Sequence, residues 1–333
     1  MSEARKRRKK VQKHIGNVQK TLKNKKYKCL YPECSNLAIN SHSQQKERQL
    51  RSISSEDSIV YGLDRNTYKS FNLSVENNPL KFTEIPIKLA SAFPGYCNDH
   101  DRNLFKKVER ESLRIGNHKQ ATILFLRAIS YEFSQKRRSF EFMSLLLEEA
   151  REVLGGDIIR SFEIMKAGTN KFLTSDFPKY FTTLLDVLRK QGYSTITVCW
   201  KEYKKNIGIS SCGVCSPIMD LNERHKDRAH NDVQALISFN IIPNHESTHI
   251  ISSWLSIHDK PASWVVEAQT GVKQLGHFIN LIAFAESEDT CVNPGLWEEL
   301  SDEKKVLALE MMRHDIFRGS LTEVPSIVEL KEI

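Results

Sequence analysis

Four residues constrain this chain more than any other feature, because their types and spacing are those of a metal site. Cys29 and Cys34 have four residues between them, and Cys97 and His100 have two. Zn2+ binds thiolate sulfur and imidazole nitrogen readily, and a structural site closes with four such ligands in a tetrahedron. The stretch Tyr31-Pro32-Glu33 can turn the chain so that the first two sulfurs face one point. The four residues therefore predict a structural zinc site.

The second ligand pair lies in the segment FPGYCNDHDRNLF, which indicates the start of a helix. Asn98 or Asp99 can cap a helix whose apolar residues continue to Leu113. The first turn of that helix would point Cys97 and His100 at the turn formed by the first pair. A knuckle that faces a helix N-terminus is the plan of a treble clef. The alternative is a set of unrelated free cysteines with surface histidines.

His42 lies eight residues past Cys34, in the segment LAINSHSQQ. Apolar and polar residues alternate there, which predicts a short strand with His42 exposed on one face. The combination of C-x4-C, AINSHS and FPGYCNDHD resembles HNH-related zinc modules at the start of bacterial proteins, some of them associated with phage defence. The resemblance covers residues 29 to about 110. It implies a nuclease in which His42 activates a water molecule and a helix residue helps to hold a second, catalytic divalent metal.

Two features depart from the nuclease pattern. About 55 residues separate His42 from Cys97, where a compact module needs far fewer, and no Asp precedes His42. Asp101 or Asn103 is available as the helix residue, and the sequence does not decide between them. His42 is therefore either the candidate catalytic base or an ordinary hydrogen-bonding residue in a structural treble clef.

The first 28 residues form a strongly basic arm. They contain twelve Lys or Arg and one acid, a balance of +11, whereas the whole chain is +8, so the remaining residues sum to about −3. Such an arm favours polyanions by counterion release, and without interleaved aromatic residues it would bind phosphate rather than read bases. DNA and RNA are therefore not distinguished. The candidate phosphate-binding residues are Arg5, Lys6, Arg7, Arg8, Lys9 and Lys10. The alternative is a solvated leader.

Composition and periodicity indicate an α+β protein in four parts. A basic arm, disordered or helical, covers residues 1–28, and the zinc module covers 29–116. A helical region spans 117–192, and an α+β domain with a small, antiparallel sheet spans 193–333, interrupted by a polar loop NERHKDRAHND. No apolar run approaches the ~20 residues that span a bilayer, and no apolar segment of a signal peptide follows the arm. Seven cysteines without a secretory leader predict reduced thiols and a cytoplasmic location.

A second metal-binding pattern competes with the first. His245, Glu246 and His249 form an HExxH, in which two histidines on one face of a helix bind zinc while the glutamate activates water. Glu267 follows in PASWVVEA, where the pattern resembles the third ligand of gluzincin metallopeptidases. Pro243, two residues before His245, and the strand-like composition of both flanks argue against a helix at this motif. The alternative is a β-hairpin whose tip carries both histidines as exposed residues.

Three classes of function follow from these patterns. The preferred one is a nucleic-acid-binding protein with a structural zinc site and, on the resemblance, a nuclease centre at His42. The second is a zinc peptidase built on the HExxH. The third is a non-enzymatic scaffold whose zinc serves folding and whose C-terminal domain binds another protein. The pair Cys212 and Cys215 has no second pair at a convincing distance and reads as buried apolar residues.

Overall fold

The computed structural model describes residues 3–64, 80–218, 233–313 and 324–331. The predicted loop NERHKDRAHND lies outside these residues. The helices are α1 (Glu3–Lys23), α2 (Asn98–Arg110), α3 (His118–Ala150), α4 (Gly156–Lys171), α5 (Phe177–Lys190), α6 (Asp259–Ala262), α7 (Trp264–Ala268), α8 (Val272–Phe284), α9 (Pro294–Glu299) and α10 (Asp302–Arg313). The strands are β1 (Asn40–His42), β2 (Ile59–Leu63), β3 (Phe82–Pro86), β4 (Ala92–Pro94), β5 (Ile196–Tyr203), β6 (Ile209–Cys215), β7 (Ile237–Pro243), β8 (Thr248–Leu255) and β9 (Thr290–Val292).

The predicted α+β class is confirmed, and the main sheet is antiparallel as expected. The prediction that this sheet is small is wrong, because the described residues alone contribute seven strands to it, in the order β3-β2-β9-β6-β7-β8-β5. The additional strands β2 and β3 come from the segment between His42 and Cys97. The predicted boundary at residue 116 therefore separates residues that share one sheet.

Both faces of the main sheet are covered, which explains why its central strands read as nearly continuous apolar runs. All residues of β7 and β8 are buried. Because successive side chains of a strand point to opposite faces, Ile250 packs into the core beneath α8, whereas Ile251 packs into the core beneath α3. The zinc module and the helical region thus lie against one face, and the C-terminal helices lie against the other.

The long helix α3 connects the other parts of the molecule. Its first half is buried on nearly all sides, in the same core as α2, α5 and the main sheet. Its second half packs against α1 and α4 through a separate apolar cluster. The segment 117–192 contains the helices α3, α4 and α5. The segment after β8 contains three helices, α6, α7 and α8, and no described helix is long and apolar enough to cross a membrane.

Candidate metal centre

The first ligand pair lies on a tight turn held by backbone hydrogen bonds. The N–H of Cys29 donates to the carbonyl of Asn36 at 2.9 Å, and an isolated β-bridge joins Lys28 to Leu37 just outside that bond. Within the turn, Glu33 adopts a φ of 62°, in the left-handed region that tight turns use. The N–H of Tyr31 points at the sulfur of Cys29 at 3.5 Å. The local sequence therefore forms the predicted knuckle.

The second pair lies at the N-terminus of α2. Cys97 has extended backbone angles and occupies the N-cap position, so the helix begins at Asn98. The expectation that Asn98 or Asp99 caps the helix is wrong, because the helix starts earlier than a cap at either position allows. A backbone bond of 2.9 Å from the N–H of Leu30 to the carbonyl of Gly95 joins the knuckle to the approach of α2.

The four ligand atoms fit the size of a tetrahedral zinc site. Cys29 Sγ lies 3.5 Å from His100 Nδ1, Cys97 Sγ lies 3.3 Å from the same nitrogen, and the sulfurs of Cys34 and Cys97 are 3.9 Å apart. Zinc bonds of about 2.3 Å to sulfur and 2.0–2.1 Å to nitrogen place two sulfurs about 3.8 Å apart and a sulfur and a nitrogen about 3.6 Å apart in a tetrahedron. All four atoms lie within 4.8 Å of one another, so this cluster could hold a metal ion.

Burial and hydrogen bonds from backbone N–H groups act in opposite directions on the pKa values of the thiols. Burial raises the pKa of the Cys29 thiol to about 11, although backbone N–H groups of Cys97 and Tyr31 oppose the shift. Burial also acts to raise the pKa of Cys97, but hydrogen bonds, first that from the backbone N–H of His100, lower it overall. N–H donors directed at sulfur favour the thiolate, which is the form that binds metal.

Side chains around the cluster connect it to the rest of the protein. The ring of Tyr31 stacks on the ring of His100 with centroids 3.9 Å apart, and the guanidinium of Arg189, at the end of α5, donates to the Tyr31 hydroxyl at 3.0 Å. Cys29 and Cys97 are buried in the core that also contains α3 and the main sheet. The metal centre is therefore part of the central packing rather than an appended module.

The structure places His42 on β1, which pairs with β4 in a two-stranded sheet beside the start of α2. His42 is half-buried instead of exposed as predicted. Its Nδ1 lies 3.0 Å from the carbonyl of Ala90. A carbonyl only accepts, so Nδ1 carries the proton, and Nε2 holds the free electron pair of the neutral ring. Burial lowers the pKa of His42, which keeps the ring neutral near pH 7.

Asp101, in the first turn of α2, interacts electrostatically with His42. Burial raises the pKa of Asp101, while a hydrogen bond from Ser41 and the charges of Arg127 and His42 oppose the shift. One carboxylate oxygen, Oδ1, is buried without a hydrogen-bond partner. The other candidate of the resemblance, Asn103, is exposed on α2. The structure thus favours Asp101 over Asn103 as the helix residue of the resemblance, a choice that the sequence left open.

Arg127 belongs to this region, although no motif in the sequence marks it. Arg127 reads as a surface residue of a helix, but it is buried beneath α2, bonded to Glu109 at 2.6 Å and placed over the ring of Phe105 at 4.3 Å. Its charge lowers the pKa of His42 after the larger effect of burial. A basic residue within an otherwise apolar helical run, in the first third of α3, was the only signal available.

The HExxH is not on a helix. His245 and Glu246 lie exposed in the turn between β7 and β8, where the Asn244 side chain accepts from the backbone of Glu246 and Ser247. His249 lies on β8, and it is buried rather than exposed, with its Nδ1 accepting from the indole N–H of Trp200 at 3.2 Å.

The alternative metal site His245, His249 and Glu267 is therefore a wrong prediction. His245 lies in the turn and His249 on β8, so the two histidines are not one helical turn apart on a common helix face, and Glu267 lies on α7. Among the described residues, the cysteine and histidine cluster is the one group suited to a metal ion. Cys212 is buried in β6, in keeping with an apolar role.

The basic arm is the helix α1, and its packing determines which of its basic residues lie on the exposed side. Val11, Ile15, Val18 and Leu22 form one stripe that packs against α3 and α4. Arg7 lies beside that stripe, where its Nε donates to the carbonyl of Val153 at 2.8 Å. The helical repeat places Arg5, Lys6, Lys9, Lys13 and Lys20 on the opposite, exposed side.

Compared with protein-family models, with curated proteins and with solved structures, this chain gives no significant match. The resemblance to HNH modules therefore stays a prediction, which depends on the residues quoted for it.

Proposed function

We propose that this protein is a zinc-stabilised nucleic-acid-binding protein with an HNH-like hydrolytic centre at His42. The observation that carries the proposal is the orientation of His42 between β1, β4 and the start of α2. The Ala90 carbonyl holds the proton of Nδ1, so Nε2 is the atom able to accept a proton. No hydrogen bond between described residues engages Nε2, which leaves it available to a water molecule.

The proposed reaction is hydrolysis of a phosphodiester. Nε2 of His42 takes a proton from water, and the water oxygen attacks phosphorus. The bond from phosphorus to the leaving oxygen breaks, and that oxygen keeps the bonding pair and takes up a proton from solvent water. Asp101 is the residue beside His42 that is able to bind a divalent cation, which when bound supplies charge stabilisation to the phosphate. The partly unsatisfied carboxylate of Asp101 supports this role, because a buried oxygen without a partner is costly.

We assign zinc to the four-residue cluster as a structural ion. Three cysteines and one histidine are a ligand set typical of structural zinc, and four protein ligands leave no open position for a substrate. The position of the cluster at the N-terminus of α2 then has a consequence for the proposed centre. Zinc fixes the helix that carries Asp101, at one residue from the ligand His100.

The partner proposed for α1 is the phosphate backbone of a nucleic acid. The exposed basic side of α1 spans sixteen residues from Arg5 to Lys20, or about 22 Å at a rise of 1.5 Å per residue. Because the opposite side is packed against α3 and α4, these charges have a fixed arrangement and lose less entropy on binding than those of a disordered arm. An association with phage defence depends on the sequence resemblance alone.

The catalytic part of the proposal is tested with His42→Ala and a matched control, His245→Ala. Both replace a histidine, but His245 is exposed in a turn far along the chain from β1. We expect the purified protein to cleave DNA or RNA with Mg2+ or Mn2+, and His42→Ala to lose that activity by about 100-fold or more while His245→Ala keeps it. Cleavage that survives in the folded His42→Ala protein would contradict the assignment.

The binding part is tested by the salt dependence of affinity for a fluorescent duplex and for a single strand. The variant replaces Arg5, Lys6, Lys9 and Lys13 with Gln, and the control replaces the exposed residues Lys190, Lys204, Lys260 and Lys273. For duplex DNA, each phosphate contact contributes about −0.9 to the slope of log affinity against log salt, so we expect the α1 variant to lose up to about 3.6 from the slope. Equal slopes in both variants would exclude α1 as the phosphate-binding surface.

A further inference from the structure

Behind His42 lies a buried polar network that connects β1 to the start of β9. Ser43 and Gln44 follow His42 directly, and both are buried, as are Ser91 and Asp289. Ser43 Oγ contacts the carboxylate of Asp289 and lies 3.1 Å from the carbonyl of Ser91. Since a hydroxyl has one proton, and a carboxylate is the stronger acceptor, the proton goes to Asp289.

A second bond joins the same two segments. The side-chain amide of Gln44 donates to the backbone carbonyl of Asp289 at 2.5 Å, and its oxygen accepts from the hydroxyl of Ser210 on β6. The amide of Gln49 donates to the same hydroxyl at 2.8 Å. The chain after His42 is thus anchored to the main sheet by polar side chains, and the polar groups in these bonds satisfy one another.

The network also reaches the carbonyl that orients His42. Ser91 has a φ of 55°, a left-handed conformation that is unfavourable for a non-glycine residue and persists where its surroundings impose it. The backbone N–H of Ser43 donates to the Ser91 carbonyl at 3.1 Å, and the Ser91 hydroxyl lies 3.4 Å from the backbone of Gln44. Ser91 follows Ala90 directly, so what fixes Ser91 also fixes the acceptor of the His42 proton.

We propose that Asp289 is a positioning residue for His42, because through Ser43 and Ser91 it holds the strand and the carbonyl that keep the imidazole in its Nδ1–H form. Its charge has a second effect. Burial and the charges of Lys46 and Arg127 lower the pKa of His42, whereas the Asp289 carboxylate raises it. Asp101 on α2 is a further acid whose charge interacts with His42. The catalytic meaning of this positioning rests on the proposed function of His42, but the positioning itself does not.

The test measures the tautomer and the titration of His42 by NMR of histidines labelled with 15N, with the His42 signals assigned through His42→Gln. The variants are Ser43→Ala and Asp289→Asn. The control is Ser238→Ala, which also removes a buried hydroxyl, one bonded to the carbonyl of Ser253 at 3.2 Å within β7 and β8.

We expect native His42 to be protonated on Nδ1 and Ser43→Ala to give a mixture of the two tautomers. In Asp289→Asn, the amide oxygen still accepts from Ser43, so the tautomer stays while the titration midpoint moves to lower pH, because the negative charge is lost. Ser238→Ala leaves both unchanged. A native tautomer and midpoint in Ser43→Ala, or an unchanged midpoint in Asp289→Asn, would overturn the inference. Failure of the proposed function appears separately, as a native protein that cleaves no nucleic acid while its His42 signals behave as expected.

Discussion

The stability of the whole protein should depend on the free zinc concentration, and the perturbation to apply is a series of zinc buffers. Because the ligands Cys29 and Cys97 are buried in the core shared by α3 and the main sheet, zinc binding is coupled to folding of that core. A metal that binds only the folded state stabilises it by RT ln(1 + [Zn]/Kd). With one site, each tenfold decrease in free zinc above Kd therefore lowers the free energy of unfolding by about 1.4 kcal/mol.

The corresponding shift in melting temperature follows from the chain length. At about 2.1 cal/mol/K per residue, unfolding 333 residues has an entropy of about 0.7 kcal/mol/K. A change of 1.4 kcal/mol then moves Tm by about 2 °C for each decade of free zinc. The assay is thermal unfolding followed by circular dichroism at matched protein concentration and pH, over four decades of buffered zinc. Two sites coupled to the same transition would double the slope.

Two variants separate the metal effect from packing. Cys34→Ala removes a half-buried ligand and should abolish the slope, whereas Cys199→Ala removes a buried cysteine of β5 outside the cluster and should lower Tm while leaving the slope intact. A melting temperature of the native protein that does not respond to zinc would refute the coupling. An unchanged slope in Cys34→Ala would refute the assignment of the ligands.

Three further results are expected. Glu109→Ala leaves the charge of Arg127, whose side chain is 2% exposed, without its partner and should lower the free energy of unfolding in denaturant by about 3 kcal/mol. Glu163→Ala breaks a pair with Arg151 in which both side chains are more than half exposed, so it should lower that free energy by under about 1 kcal/mol, and equal losses would contradict the burial argument. Since burial lowers the pKa of His42 in the folded protein, the ring stays neutral to lower pH. The pH at which nucleic-acid cleavage is half lost on acidification should therefore lie below about pH 6.5, and it should move to still lower pH in Asp289→Asn. Burial also lowers the pKa of His249, so the unfolded chain binds this proton at a higher pH than the folded protein does. The stability that His249 contributes is therefore present above about pH 6.5 and is lost as the pH falls. His249→Gln should flatten this part of the dependence of unfolding free energy on pH, measured by urea unfolding.

The sequence pattern of a single segment was sufficient where the structure depends on that segment alone. The helices α3 to α5 and the strands β5 to β8 follow the apolar periodicity of their own segments, and the knuckle at Cys29 needs only the turn between two ligands. The choice between a helix and a hairpin for the HExxH was also local. Pro243 and the β-branched flanks favoured the hairpin, and β7 and β8 form it. The burial of His249 was not predictable, because it depends on Trp200, 49 residues away.

The parts that the sequence did not reveal depend on contacts between distant segments. Strands β2 and β3 are only five residues each, and they belong to the main sheet because β2 pairs with β9, more than 200 residues later. The long segment between His42 and Cys97 looked like a departure from a compact module for this reason. Similarly, Ser43 and Asp289 are 246 residues apart, and a serine and an aspartate in unrelated segments carry no mark of their contact.

These long-range contacts change what the proposed centre requires of the rest of the chain. The strand that carries His42 is held from one side by the metal centre, through the N-terminus of α2, and from the other side by Asp289, through Ser43. A fragment that ends before β9 would keep all four metal ligands and lose the second support. We therefore expect residues 1–116 alone to bind zinc more weakly than the full chain and to show no His42-dependent cleavage. A fragment with full zinc affinity and activity would mean that the main sheet contributes packing alone.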